Sequence, residues 1–83
     1  MELGLRGKVA IVTGGGEGIG RAAAQSIVRE GGHALIVGRR GALLHTTAAA
    51  LTGGGHGRVV PHREDITATG AAERIVAAAL ATF

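Results

Sequence analysis

The sequence contains no cysteine, tryptophan or tyrosine, a single proline, and a single phenylalanine, which is its last residue, Phe83. Without cysteine there is no disulfide framework, no thiolate metal site and no cysteine nucleophile. Without stacking aromatics a platform for single-stranded nucleic acid has nothing to hold bases against. Apolar runs are short, and none approaches the roughly 20 residues that a membrane helix needs. The first residues, Met1-Glu2-Leu3-Gly4-Leu5-Arg6-Gly7-Lys8, also lack the apolar stretch of a secretory signal. Acids are few: six against nine basic residues, for a net charge of +3. The positive charges are scattered and form no basic stripe, which argues against a nucleic-acid binder. These exclusions leave a cytoplasmic protein with no membrane and no nucleic acid among its partners. Four histidines (His33, His45, His56 and His62) show no ligand spacing with acids, so no metal site is expected.

Large side chains are scarce too. Leu, Ile, Val and Phe make up 21 of 83 residues, while Gly and Ala make up 32. That clears the composition of a disordered chain but is thin for a complete core. Ordering each residue costs about 1.5 kcal/mol, and small side chains return little buried area. The expectation is one domain at most, incomplete at its C-terminal end.

What is present is a regular alternation. Residues 8–13 (KVAIVT) form a continuous apolar run without polar alternation, as in a parallel strand covered on both faces. A glycine cluster follows, and residues 21–30 have helical periodicity, with Ile19, Ala23 and Ile27 on one stripe and Ala24 and Val28 beside it. Gly31-Gly32 ends that helix. Residues 34–37 (ALIV) are a second strand, closed by Gly38-Arg39-Arg40-Gly41. Residues 42–51 carry Leu43, Leu44 and Leu51 as a weaker helix, and residues 52–57 form a glycine-rich loop. Residues 58–62 are a third strand containing Pro61, which cannot donate to a ladder and belongs at a sheet edge. Residues 67–82 are the clearest helix, with Ala72, Ile75, Val76, Ala79, Leu80 and Phe83 on its apolar stripe. The order β-α-β-α-β-α predicts an α/β fold with a parallel, doubly wound sheet in the order 3-2-1, truncated after the third helix.

The loop after the first strand carries the chemistry. A strand that feeds glycines into a helix N-terminus makes an anion site, because free backbone N–H groups and the helix dipole both face the ligand. Glycine lets the chain turn tightly and lets a pyrophosphate approach without a Cβ in the way. The spacing G-x-G-x-x-G fits no register here. The mononucleotide pattern G-x-x-x-x-G-K-[ST] runs from Gly15 to Gly20 but is followed by Arg21-Ala22, so the phosphate lysine and the Mg²⁺ hydroxyl are missing. The segment that does match is T-G-x-x-x-G-I-G, from Thr13 and Gly14 through Gly16, Glu17, Gly18 and Ile19 to Gly20.

In this motif the chain resembles the short-chain dehydrogenase/reductase family, as it does in the first strand, in Gly38-Arg39-Arg40 after the second, and in Asp65-Ile66-Thr67 after the third. The resemblance implies a Rossmann fold whose N-terminal part is residues 1–83, with NAD(P)(H) bound through Gly14, Gly16, Glu17, Gly18, Ile19 and Gly20. It further implies that Asp65 and Ile66 hold the adenine ring; the alternative for Asp65 is a helix N-cap, for which Thr67 competes. No acid stands about 20 residues beyond the loop to grip a ribose 2′-OH. Arg39 there favours NADP(H), since a guanidinium forms charge-assisted hydrogen bonds to a 2′-phosphate. Glu17 opposes this, because relatives that prefer NADP often carry a basic residue at that loop position, and NAD(H) stays possible.

The family's catalytic Tyr-x-x-x-Lys pair and Asn-Asn-Ala-Gly segment are not in this chain. Its one lysine is Lys8 and its one serine is Ser26, so no catalytic residue is assigned. The implied function is the cofactor-binding part of an oxidoreductase that interconverts a carbonyl and an alcohol by hydride transfer. A small-molecule substrate and a homo-oligomer are expected only of a longer form. The alternative is a non-catalytic nucleotide-binding module or an inactive fragment. In relatives the last helix leads into a fourth strand beside the first, so the first strand is expected here as a bare apolar edge prone to aggregation.

Overall fold

The computed structural model describes residues 7–14, 18–52 and 57–83. Its elements alternate as β1 (Val9–Thr13), α1 (Gly18–Arg29), β2 (His33–Gly38), α2 (Gly41–Thr52), β3 (Val59–Arg63) and α3 (Ala71–Thr82). The three strands form one parallel sheet in the order β1-β2-β3. Val9 lies opposite His33 and Thr13 opposite Val37, while Ala34 faces Val59 and Gly38 faces Arg63. β3 lies at the edge, as Pro61 requires.

β2 is the centre of the molecule. Ala34, Leu35, Ile36 and Val37 are all buried, and the pleat sends successive residues to opposite faces. Ala34 and Ile36 pack with Ala24 and Val28 of α1, with Leu44, Ala48 and Leu51 of α2, and with Val59. Leu35 and Val37 pack with Ile75 and Ala79 of α3. α1 and α2 therefore cover one face of the sheet and α3 the other, which is the doubly wound arrangement expected from the element order.

β1 departs from the expectation of a strand covered on both faces. Val12 packs into the α1–α2 side, but Val9 and Ile11 are 45% and 41% exposed. They share the face of Leu35 and Val37, which α3 packs against, but β1 stands at the edge of the sheet with β2 alone beside it among the described residues. Only β2 has both faces sealed. The helical stripes also turn slightly from their expected positions. In α1 the buried residues are Ala24 and Val28, while Ile19 is 89% exposed. In α3 the row Ala71, Ile75 and Ala79 faces the sheet, and Val76 and Leu80 face outward.

α3 begins four residues later than expected. Asp65 and Thr67 bond to each other locally, and Gly70, in the left-handed region at φ 79°, is the N-cap. Short polar side chains that bond to their own backbone compete with helix in this way. At the far end of the sheet Phe83 stacks on His33 with centroids 5.5 Å apart, and the Arg58 guanidinium lies 5.0 Å from the same ring. The Arg58 amide donates to His33 Nδ1 at 2.9 Å, and Arg58 Nη2 donates to the Thr82 carbonyl at 2.7 Å. This cluster ties the end of α3 to the starts of β2 and β3. Among the described residues no helix is long and apolar enough to cross a membrane.

Because Ile36 is fully buried between two helices and a strand, Ile36→Val is expected to lower the unfolding free energy by about 0.5–1.5 kcal/mol. Val76→Ala, on the outward face of α3, should change it by less than about 0.5 kcal/mol. Denaturant unfolding of the two variants checks both values.

Candidate functional site

All three strands run the same way, so their carboxyl ends meet on one edge of the sheet. Ligands of open parallel sheets bind outside that edge. Here it holds a cavity of about 440 Å³, within the range of small-molecule sites. Gly14 comes from the end of β1, Val37, Gly38, Arg39 and Arg40 from the end of β2, and Glu64, Asp65, Ile66 and Thr67 from the end of β3. Leu43 and Leu44, in the first turn of α2, supply an apolar wall.

The cavity thus brings together four of the residues expected in the site: Gly14, Arg39, Asp65 and Ile66. Gly18, Ile19 and Gly20 form the first turn of α1 and do not line it. Gly16 and Glu17 lie outside the described residues. No site role was expected of Arg40, Leu43, Leu44, Glu64 or Thr67, although Arg40 and Thr67 stand in segments that resemble the family. The available signal was positional: each is within four residues of a strand end or in the first turn of the helix that follows.

Gly14 and Gly18 bracket the loop, and both are left-handed, with φ 68° and 62°. A Cβ at either would meet no described atom within 4 Å. Glycine is therefore required by backbone conformation, and the space beside it is open to a ligand. The Gly14 amide donates to the Val37 carbonyl at 2.7 Å, which fixes the start of the loop against β2.

The turn after β2 is held from β3. The Glu64 amide donates to the Gly38 carbonyl at 2.8 Å, and Arg63 Nε donates to the Arg39 carbonyl at 3.2 Å. The backbone of the expected phosphate clamp is therefore fixed while the Arg39 side chain stays exposed. Asp65 does not cap α3. Its Oδ1 accepts the Thr67 amide at 2.9 Å and the Thr67 hydroxyl at 2.6 Å, forming an Asx-turn. These two bonds, with a smaller pull from Arg39, hold the Asp65 carboxyl below the usual aspartate range. The Arg74 fork does the same for Glu64, with His62 adding a lesser contribution.

Two outcomes follow from this geometry. Gly14→Ala is expected to cost about 1–2 kcal/mol of stability through backbone strain alone, measured by denaturant unfolding. Glu64 and Asp65 are both lowered from ordinary values of 4.5 and 3.8. Their stabilisation is complete above those values and is lost as the pH falls through the lower, folded-state ones. The unfolding midpoint should be flat above about pH 5 and decline below about pH 4, and Asp65→Asn should flatten part of that decline.

The profile of the short chain dehydrogenase family matches residues 8–83. The chain is 37% identical, over its whole length, to 1,6-dihydroxycyclohexa-2,4-diene-1-carboxylate dehydrogenase of Pseudomonas putida, of which it covers 30%. It superposes with a TM-score of 0.93 and 32% identity on L-sorbose reductase from Gluconobacter frateurii, solved with NADPH and L-sorbose, covering 32% of that chain. It superposes with a TM-score of 0.86 and 30% identity on a short chain dehydrogenase/reductase from Burkholderia phymatum solved with NAD, covering 28% of that chain. The chain spans about a third of the length of the relatives it matches. A matched profile over nearly every residue, on a parallel sheet with its glycine loop at the carboxyl edge, places this chain in the short-chain dehydrogenase family.

Proposed function

We propose that the chain is the N-terminal, cofactor-binding part of one Rossmann domain in an oxidoreductase that interconverts a carbonyl and an alcohol, and that its ligand is a nicotinamide dinucleotide. The observation that carries this is the cavity where Gly14, Arg39, Asp65 and Ile66 converge from the ends of three different strands. Relatives solved with NADPH and with NAD support the class of cofactor.

The residues present suit the adenosine half of such a ligand. Leu43 and Ile66 offer apolar surface to a flat ring, and Asp65 offers a carboxylate that stays ionised at neutral pH. The open space beside Gly14 and Gly18, with the N-terminus of α1, suits the diphosphate. When bound, the nicotinamide supplies or accepts the hydride. This chain's own residues bind and orient the cofactor, and no catalytic role is assigned to them.

Arg39 and Arg40 stand at the end of β2, where a carboxylate would mark NAD, and this favours NADP(H). Arg63 supports that reading by holding the Arg39 carbonyl in place. A cytoplasmic location, and a small-molecule substrate with homo-oligomeric assembly in the longer form, belong to the same proposal and rest on the family.

Titration with NADPH and NADH tests the cofactor assignment. Arg39→Ala is expected to weaken NADPH by about 10- to 100-fold, the equivalent of one charge-assisted contact, and to leave NADH unchanged. Equal losses for both cofactors would remove the 2′-phosphate role of Arg39. Binding of neither by the unmodified chain would remove the dinucleotide itself.

A further inference from the structure

Arg74, in the first turn of α3, points back toward the carboxyl edge of the sheet. Its Nε donates to Glu64 Oε1 at 3.0 Å and its Nη2 to Glu64 Oε2 at 2.8 Å, a two-pronged fork. Its Nη1 donates to the Thr69 carbonyl at 3.0 Å. One guanidinium therefore joins the residue before Asp65 to the residue before Gly70 and closes the intervening turn. Gly70 makes room for it: a Cβ there would lie 3.0 Å from Arg74 Nη1, in a backbone conformation that side chains rarely adopt. Glu64 is held in turn by the sheet, through its amide on the Gly38 carbonyl and through His62 Nε2 at 3.3 Å from Oε1. Its side chain is only 12% exposed.

We propose that Glu64 and Arg74 are positioning residues for the adenosine half of the cofactor: their clamp holds the turn that presents Asp65 and Ile66 to the cavity before any ligand arrives. This rests on the dinucleotide reading and extends it to residues that the glycine motif does not contain. A lone exposed ion pair contributes little. A two-pronged fork with a third bond to a carbonyl fixes direction as well as distance, and a turn ordered in advance need not be ordered on binding.

The test combines titration with NADPH, NADH and AMP, which carries the shared adenosine half, with amide hydrogen exchange. Thr67 and Ala68 report on the turn, because their amides donate to Asp65 Oδ1 and to the Asp65 carbonyl. Arg74→Ala is expected to weaken all three ligands by a common factor of about 5 to 30, the equivalent of one residue ordered anew. It should speed exchange at Thr67 and Ala68 while Leu35 and Ile36 keep their protection. Arg74→Lys, which cannot fork, should fall between. Unchanged affinity in Arg74→Ala, with the wild type binding all three, overturns the clamp and leaves the dinucleotide reading standing. A wild-type chain that bound none of them would overturn both. If Arg74→Ala loses protection throughout β2, Glu64→Gln decides: it keeps the side-chain shape and removes the charge. The same common loss supports the clamp, and wild-type affinity overturns it.

Discussion

The fold depends on the burial of one strand from both sides. β2 contributes four consecutive buried residues, and the two packed clusters meet it from opposite faces. Everything at the carboxyl edge is measured from that strand: Gly14 is bonded to its last buried residue, and Glu64 to the glycine that ends it. A chain so rich in Gly and Ala has few large groups to bury. It concentrates them where a central parallel strand gives each one neighbours on a helix and on both adjoining strands.

Much of this architecture was legible in the sequence, because the signals were local. The unbroken run Ala34-Leu35-Ile36-Val37 announces a strand with two buried faces, and Pro61 announces an edge; both stand where expected. The similar run in β1 misled as to its two faces, though its place at the edge of the sheet is the one expected. Apolar composition reports what a strand would bury given a full complement of neighbours, and here β1 stands at the edge of the sheet, leaving Val9 and Ile11 half open. The start of α3 misled for a different reason. Thr67 to Gly70 have acceptable helical spacing, but a hydroxyl and an amide two residues from a carboxylate find a shorter route to satisfaction.

The site was legible in outline only. The set of three short segments after the strands marked Gly14, Arg39, Asp65 and Ile66, and the cavity collects them. It could not mark Glu64, Arg63 or Arg74, whose roles come from bonds between segments 10 or 24 residues apart. Sequence spacing records a contact when both partners sit on one helix or one turn. It is silent when a guanidinium reaches from the next helix back to the end of the preceding strand.

The short bond from Gly14 to the Val37 carbonyl bears on how any anion would be held. That N–H already has an acceptor in the sheet, so it has no proton left to offer a phosphate oxygen. Gly14 therefore works as a hinge pin and not as a donor. An anion held at this edge would instead meet the opening turn of α1, where the first N–H groups of a helix have no partner within it.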